Sequence, residues 1–210
     1  ADIFKNKTIA SILRFLKIMP VYRMRDGKEN LLKNDEIFDK SVSVLEANGA
    51  LALFPEAAHS GKRQMLSHKK AVPRIAFMAM EKAGPDFDIQ IIPTGIYYSS
   101  YWKFNRTVVV NFGKPIAARE YFEEFKANEN NAIQSLRQRL YDEILPLVID
   151  IKSVKHYNDY EKTIEIYSNH FLRRQKKKPT TANRFVSDQL LIKKLEAIEE
   201  KNPEEAEKLF

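Results

Sequence analysis

Glu56 lies in Phe54-Pro55-Glu56-Ala57-Ala58-His59-Ser60, a stretch that opens directly onto the basic loop Gly61-Lys62-Arg63. A carboxylate accepts hydrogen bonds from hydroxyls, and Lys and Arg neutralise phosphates. One acidic side chain ringed by His, Lys and Arg suits a small molecule bearing both groups better than it suits a salt bridge alone. Arg23, after Pro20-Val21-Tyr22, adds a planar fork that can grip a phosphate through two parallel hydrogen bonds. Lys69 and Lys70 fall at the start of an expected helix, where the backbone dipole adds to anion attraction. Each residue taken singly has a plainer reading: Arg23 as a surface ion-pair partner, Glu56 as a loop or cap residue, His59 and His68 as solvated loop histidines. Their co-location carries the functional reading.

The elements that position these side chains follow from hydrophobic spacing. Ala50-Leu51-Ala52-Leu53 is a short apolar run that stops at a proline, which reads as a buried strand delivering Glu56 to its carboxyl end. In open α/β sheets that end is where ligands bind. Pro20–Tyr22 reads as an earlier strand, Ile89–Pro93 and Thr107–Phe112 as later ones, the last two able to pair antiparallel. Between them, helical periodicity covers Thr8–Ile18, a segment from Asn30 or Asn34 to Ala47 closed by Asn48-Gly49, and Lys69–Lys82, with Pro73 in a tolerated first turn. This alternation predicts an α/β fold, a layered, mostly parallel sheet flanked by helices. From Ala118 onward the pattern is helical: Tyr121–Lys126, a long stretch from Asn131 interrupted near Pro146, Ser187–Glu200, and another start at Asn202-Pro203. The expected organisation is an α/β domain over 1–145 and an α-helical C-terminal extension over 146–210 that contains the basic linker Arg173–Thr181.

Composition sets the bounds. With 210 residues, 44% hydrophobic, the chain can build a core. It has no cysteine, which rules out a disulfide framework, a Cys-ligated zinc and a Cys nucleophile, and fits a reducing compartment. The net charge of +7 reads either as a solvated surface that is merely basic or as a match for an anionic substrate, an anionic membrane surface or nucleic acid. Nucleic acid ranks last: the basic run Arg173–Lys178 lacks interleaved aromatics, and an acidic stretch, Glu196–Glu200, follows it. No apolar run reaches the roughly 18 residues of a membrane span, and no signal-peptide pattern appears. A start without Met and an end inside a helical pattern read as a segment of a longer protein.

These blocks, in this order, resemble the glycerolipid acyltransferase family, which includes the lysophosphatidic acid and glycerol-3-phosphate acyltransferases. Ile18-Met19-Pro20-Val21-Tyr22-Arg23 looks like the family's second block, Phe54–Ser60 like its third, F-P-E-G-[TS]-R-S, and Ile89–Pro93 like its fourth. Met65-Leu66-Ser67-His68-Lys69 followed by Arg74-Ile75-Ala76 is similar to the family's helix after the third block. The resemblance covers about residues 1–115. It implies transfer of a fatty acyl group from acyl-CoA or acyl-carrier protein to a hydroxyl of glycerol phosphate or a lysophospholipid, as in phospholipid biosynthesis. No metal or other cofactor is implied. It also implies Arg23 and Glu56 as acceptor-binding residues, with Ser60, His59, Lys69 and Arg74 beside them, and work in the cytoplasm, peripherally at the inner face of an anionic membrane. The amphipathic Thr8–Ile18 helix, with Arg14 and Lys17 at headgroup level, could rest there; packing into a core is its other reading.

The chain departs from the family in two places. Ala57 stands for the usual Gly, Ala58 for Thr or Ser and His59 for Arg, and an Ala at 57 is expected to forfeit the backbone freedom of glycine. The first block, N-H-x-x-x-x-D, is absent: no His-x-x-x-x-Asp occurs, and His156-Tyr157-Asn158-Asp159-Tyr160-Glu161 is a distant, late approximation. In the family that His is the general base on the acceptor hydroxyl, so the catalytic residue is not in these residues and the chain alone is expected to be inactive. The alternative is a non-catalytic lipid- or acyl-carrier-binding module.

Overall fold

The computed structural model describes residues 4, 6–20, 33–58, 60–84, 86–100 and 104–209. The expected layered parallel sheet is not formed. Among the described residues about 59% are helical, and the described strands pair as two small antiparallel two-stranded sheets. Strand β1 (Gln90–Ile91) joins β4 (Ile116–Ala117), and β2 (Thr94–Tyr98) joins β3 (Val108–Phe112). Residues 50–54 pair as a strand with no described residue, and Leu53 and Phe54 are exposed rather than buried. That run has no β-branched residue, so nothing in it favours a pleated surface over a loop. Strand formation instead follows Ile96 and Val108–Val110. β2 and β3 pair antiparallel, Thr94 opposite Phe112 and Tyr98 opposite Val108, and residues 99–107 between them fall short of the roughly dozen that a parallel crossover needs. The expected strand at Pro20–Tyr22 lies, beyond Pro20, outside the described residues.

The helices follow the sequence more closely, because their ends are chemically marked. Helix α1 (Lys7–Phe15) starts where the Asn6 side chain accepts from the Thr8 and Ile9 amides, at 3.0 and 3.3 Å. It ends with Lys17 in the left-handed region and the Ile18 amide bonded to the Leu13 carbonyl. Helix α2 (Lys33–Glu46) ends in the same way, with Asn48 left-handed and the Gly49 amide on Val44. Helix α3 (Ala71–Ala83) carries Pro73 in its first turn. After β4 come α4 (Phe122–Ala127), α5 (Glu129–Ile144), a 3-10 turn at Leu145–Leu147, α6 (Tyr157–Arg174), α7 (Thr181–Lys201) and α8 (Pro203–Leu209).

The chain divides into two compact units, each assembled from three separate segments. The first takes residues 1–55, 70–89 and 117–133. Its core centres on Phe77 of α3, which stacks on Phe125 of α4 at 4.5 Å, and it is tied by a Lys82–Glu46 ion pair at 3.0 Å between α3 and α2.

The second unit takes residues 56–69, 90–116 and 134–210. Tyr97, Ile149, Ile151, Tyr157, Tyr160, Ile164, Phe185, Ile192 and Leu195 form its core. Gly95 of β2 faces Asn111 of β3, whose amide donates to the Leu147 carbonyl at 3.0 Å. A side chain at 95 would meet that carbonyl oxygen at 2.2 Å, so only glycine lets the Leu145–Leu147 turn lie against the strand. Within this core Asp188 is fully buried; the Tyr97 hydroxyl donates to its Oδ2 at 2.7 Å and Ser168 pairs with its Oδ1.

Candidate functional site

Glu56 opens the second unit's first segment, in a turn where Ala57 has φ +53°. The glycine-like backbone of this position is therefore retained by alanine, contrary to the expectation that Ala57 gives it up. The cost of a left-handed L-residue is about 1–2 kcal/mol. Ser60 then closes a tight turn: its Oγ accepts from the Lys62 amide at 3.1 Å and lies 3.2 Å from the Lys62 carbonyl. Gly61, at φ +72°, completes the reversal.

The loop beyond is anchored to residues far along the chain. The Arg63 amide donates to the Tyr157 hydroxyl at 2.6 Å, and the Arg63 carbonyl accepts from Ile151 at 2.8 Å. The Arg63 Nε pairs with Glu161 at 3.2 Å, and its guanidinium lies 5.6 Å from the centre of the Tyr97 ring. Lys62 places its ammonium over Tyr157, and the Met65 amide donates to Asp150 at 2.9 Å. Burial, followed by the Arg63 backbone contact and the Glu161 charge acting in opposite directions, leaves the Tyr157 phenol pushed up to about 12. It is a neutral donor or acceptor at physiological pH.

His68 ends this segment, and it is not a solvated loop histidine: it is only 3% exposed. Its ring meets Tyr141 edge to face, centroids 5.1 Å apart at 62°. Neither ring nitrogen has a hydrogen-bond partner among the described residues. Burial, and then the Arg137 charge, push its pKa down, so the imidazole is neutral. The Tyr141 phenol is pushed up by burial and then by the carboxylates of Asp150, Asp142 and Glu56, which places Glu56 within electrostatic reach of it.

Of the residues expected from sequence, Glu56 (half-buried), Ser60 (exposed) and Lys69 (exposed) share one segment of the second unit. Arg74 belongs to the first unit, where its guanidinium lies 5.8 Å from the Phe38 ring centre. Arg23 and His59 lie outside the described residues. Tyr141, Asp150, Tyr157 and Glu161 escaped sequence reasoning because their link to the loop is spatial only. His156 and Glu161, which approximate the missing first block, serve separate partners: His156 approaches Asp159 at 3.7 Å and Glu207 at 3.3 Å, while Glu161 holds Arg63. No cluster of metal-ligating side chains occurs among the described residues, and no described helix is long and apolar enough to cross a membrane.

Comparison with known proteins bears on the same stretch. The acyltransferase family model matches residues 1–97, which include the Phe54–Ser60 block. Over residues 1–97 the chain is similar to acyltransferases. The chain is 33% identical over 109 residues to an uncharacterized acyltransferase of Schizosaccharomyces pombe, covering 50% of this chain and 16% of that protein. It is 31% identical over 80 residues to glycerol-3-phosphate O-acyltransferase 1 of Saccharomyces cerevisiae, covering 38% of this chain and 10% of that protein. The chain thus spans a small part of the relatives' length. No solved structure matches it. The likeness to glycerolipid acyltransferases read from the Arg23, Glu56 and Pro93 blocks is borne out by the family match and by these relatives.

Proposed function

We propose that these residues form the acceptor-binding part of an O-acyltransferase of phospholipid biosynthesis. In the reaction, a hydroxyl of glycerol phosphate or a lysophospholipid attacks the thioester carbonyl of acyl-CoA or acyl-carrier protein. The C–O bond forms, the C–S bond breaks and the thiol leaves with the hydroxyl proton. The match of the acyltransferase family model over the segment containing Glu56 carries this reading. Glu56 accepts from an acceptor hydroxyl, and Arg23, His59, Ser60, Lys69 and Arg74 supply polar and cationic groups for the phosphate end. No cofactor beyond the acyl donor is needed. The general base is a His-x-x-x-x-Asp pair that these 210 residues do not contain, and a base contributes about 10²–10⁴ in rate.

Helix α1 favours work at a membrane surface. Ile9, Ile12, Phe15, Leu16 and Ile18 are exposed, while Lys7, Arg14 and Lys17 supply positive charge and the helix carries no acid. An apolar face beside cations suits the anionic cytoplasmic face of a membrane. The test is acyl transfer to radiolabelled glycerol 3-phosphate by the protein carrying its whole coding sequence, with and without Glu56→Gln. At least a tenfold loss is expected for the variant, and unchanged turnover would refute the role of Glu56. A whole coding sequence without His-x-x-x-x-Asp, together with no turnover, would favour the lipid- or carrier-binding module instead.

A further inference from the structure

The helical hairpin of the second unit ends in a charge pattern that acyl transfer leaves unused. Helices α6 and α7 run antiparallel: Ser168 pairs with Asp188, and further from the turn the Tyr160 hydroxyl donates to Glu199 at 2.7 Å. From Ile166 to Ser187 the chain carries no acid, while Arg173, Arg174, Lys176, Lys177 and Lys178 crowd the turn. Every residue from 173 to 180 is exposed. The acids of Glu196–Glu200 stand far down α7, about 22 Å from its first turn at 1.5 Å per residue. Charges that distant are screened at physiological salt, where the Debye length is about 8 Å.

The turn is held by its own hydrogen bonds. The Lys177 amide donates to the Leu172 carbonyl and the Lys176 amide to that of Arg173, both at 3.0 Å, with Lys176 at φ +54°. Glycine is the usual residue in that conformation at a helix end, so a cation is kept there against backbone preference. Thr180 caps α7 by accepting from the Asn183 amide at 3.2 Å, and the Asn183 side chain donates to the Lys178 carbonyl at 2.9 Å. The cations therefore project from a fixed backbone.

The face of α6 that leads into this turn completes the pattern. Ile164, Ser168 and Leu172 are buried, and opposite them Ile166, Tyr167, His170, Arg173 and Arg174 fall on one exposed stripe at helical spacing. Ile166 and Tyr167 are 69% and 53% exposed. Apolar and aromatic side chains running into cations are the composition of a helix that lies in a bilayer interface. Consecutive lysines are flexible point charges, which suit a mobile lattice of anionic headgroups better than a partner of one fixed shape.

We propose that the outer face of α6 and the capped turn after it form a docking surface for an anionic lipid bilayer. This surface belongs to the second unit, is additional to α1, and does not depend on the acyltransferase reading.

The 210-residue chain has no cysteine, so Gln175→Cys places a single environment-sensitive fluorophore on the turn. Phosphatidylcholine vesicles with roughly 30% phosphatidylserine should raise and blue-shift its emission, pure phosphatidylcholine vesicles should not, and about 0.5 M salt should reverse the change. In co-sedimentation, Arg173→Gln, Arg174→Gln, Lys176→Gln, Lys177→Gln and Lys178→Gln together should weaken partitioning about a hundredfold or more, since each Lys or Arg near such a surface contributes about fivefold. The melting temperature of that variant should hold, because all of these side chains are exposed. A label that stays silent while the chain co-sediments would assign membrane binding to other surfaces, and the inference fails. It fails equally if the chain does not co-sediment, or if the label answers to an acidic acyl-carrier protein and not to the vesicles.

Discussion

Asp188 makes a demanding test of the packing because hydrogen atoms can be counted around it. The Tyr97 hydroxyl donates to Oδ2 at 2.7 Å, while Ser168 Oγ pairs both with Oδ1 and with the Ile164 carbonyl at 2.6 Å. A serine hydroxyl has one hydrogen. If Ser168 gives it to Ile164, the proton between Ser168 and Asp188 must come from the carboxyl group, so Asp188 is the neutral acid. Burial drives its pKa up in the same direction, against the opposing pull of the Ser168 and Tyr97 bonds and of Arg184 and Arg63. Asn can imitate that acid: its oxygen accepts from Tyr97 and its nitrogen donates to Ser168, with one N–H left over. Asp188→Asn should therefore cost about 1 kcal/mol, that of the spare buried N–H, whereas Asp188→Ala strands the buried Tyr97 hydroxyl and opens a cavity and should cost about 2–4 kcal/mol. The sign with pH is definite. A carboxyl with a raised folded pKa contributes stability that is complete below its unfolded value near 3.8 and is lost as pH rises through the folded value. Urea midpoints taken from pH 4 to 8 should then show Asp188→Asn gaining on wild type as pH rises. If Asn is as damaging as Ala at pH 7, the carboxylate is charged, Ser168 donates to it and the reasoning is wrong.

Three further outcomes follow from the same geometry. Ala57→Gly relieves a left-handed alanine worth about 1–2 kcal/mol but loosens the unfolded chain by about 0.4–1 kcal/mol, so a net gain of roughly 0.5–1 kcal/mol in denaturant is expected, and a loss would mean φ is not positive there. Gly95→Ala drives a methyl into the Leu147 carbonyl and should cost about 1–3 kcal/mol, where a strand glycine without that neighbour would gain from the change. His68, buried neutral with a lowered pKa, contributes stability that is complete above its unfolded value of about 6.5 and is lost as pH falls through the folded one. His68→Phe should flatten that acid limb of thermal stability, and an unchanged limb would assign it to other groups.

The helices were legible in the sequence because their signals are local. Asn48-Gly49 marks the end of α2 by the chemistry of the last turn, and Asn202-Pro203 marks the start of α8 almost to the residue. The sheet was not, because an apolar run such as Ala50–Leu53 has no strand identity until a neighbour pairs with it, and among the described residues none does. Strand β2 was overlooked because the strand was expected over Ile89–Pro93, just before it; the glycine of β2 answers to Leu147, a contact invisible along the chain. Glu56 stood out because its block is compact. The surroundings of His68 misled for the opposite reason: Ser67, Lys69 and Lys70 announce solvent, while Tyr141, which covers the ring, lies far along the chain.

The alternation of segments between the two units has a consequence for biosynthesis. Residues 56–69 leave the ribosome before residues 70–89 and 117–133, so material for the second unit is synthesised while the first still lacks two of its three pieces. At about 5–20 residues per second, the interval lasts several seconds. Neither unit can be made as one contiguous fragment, and a single protease cut in the Glu56 loop would divide the covalent chain without releasing either of them. Shortening the gene to isolate one unit should yield aggregated protein, and separately expressed halves should recover solubility only when they are produced together.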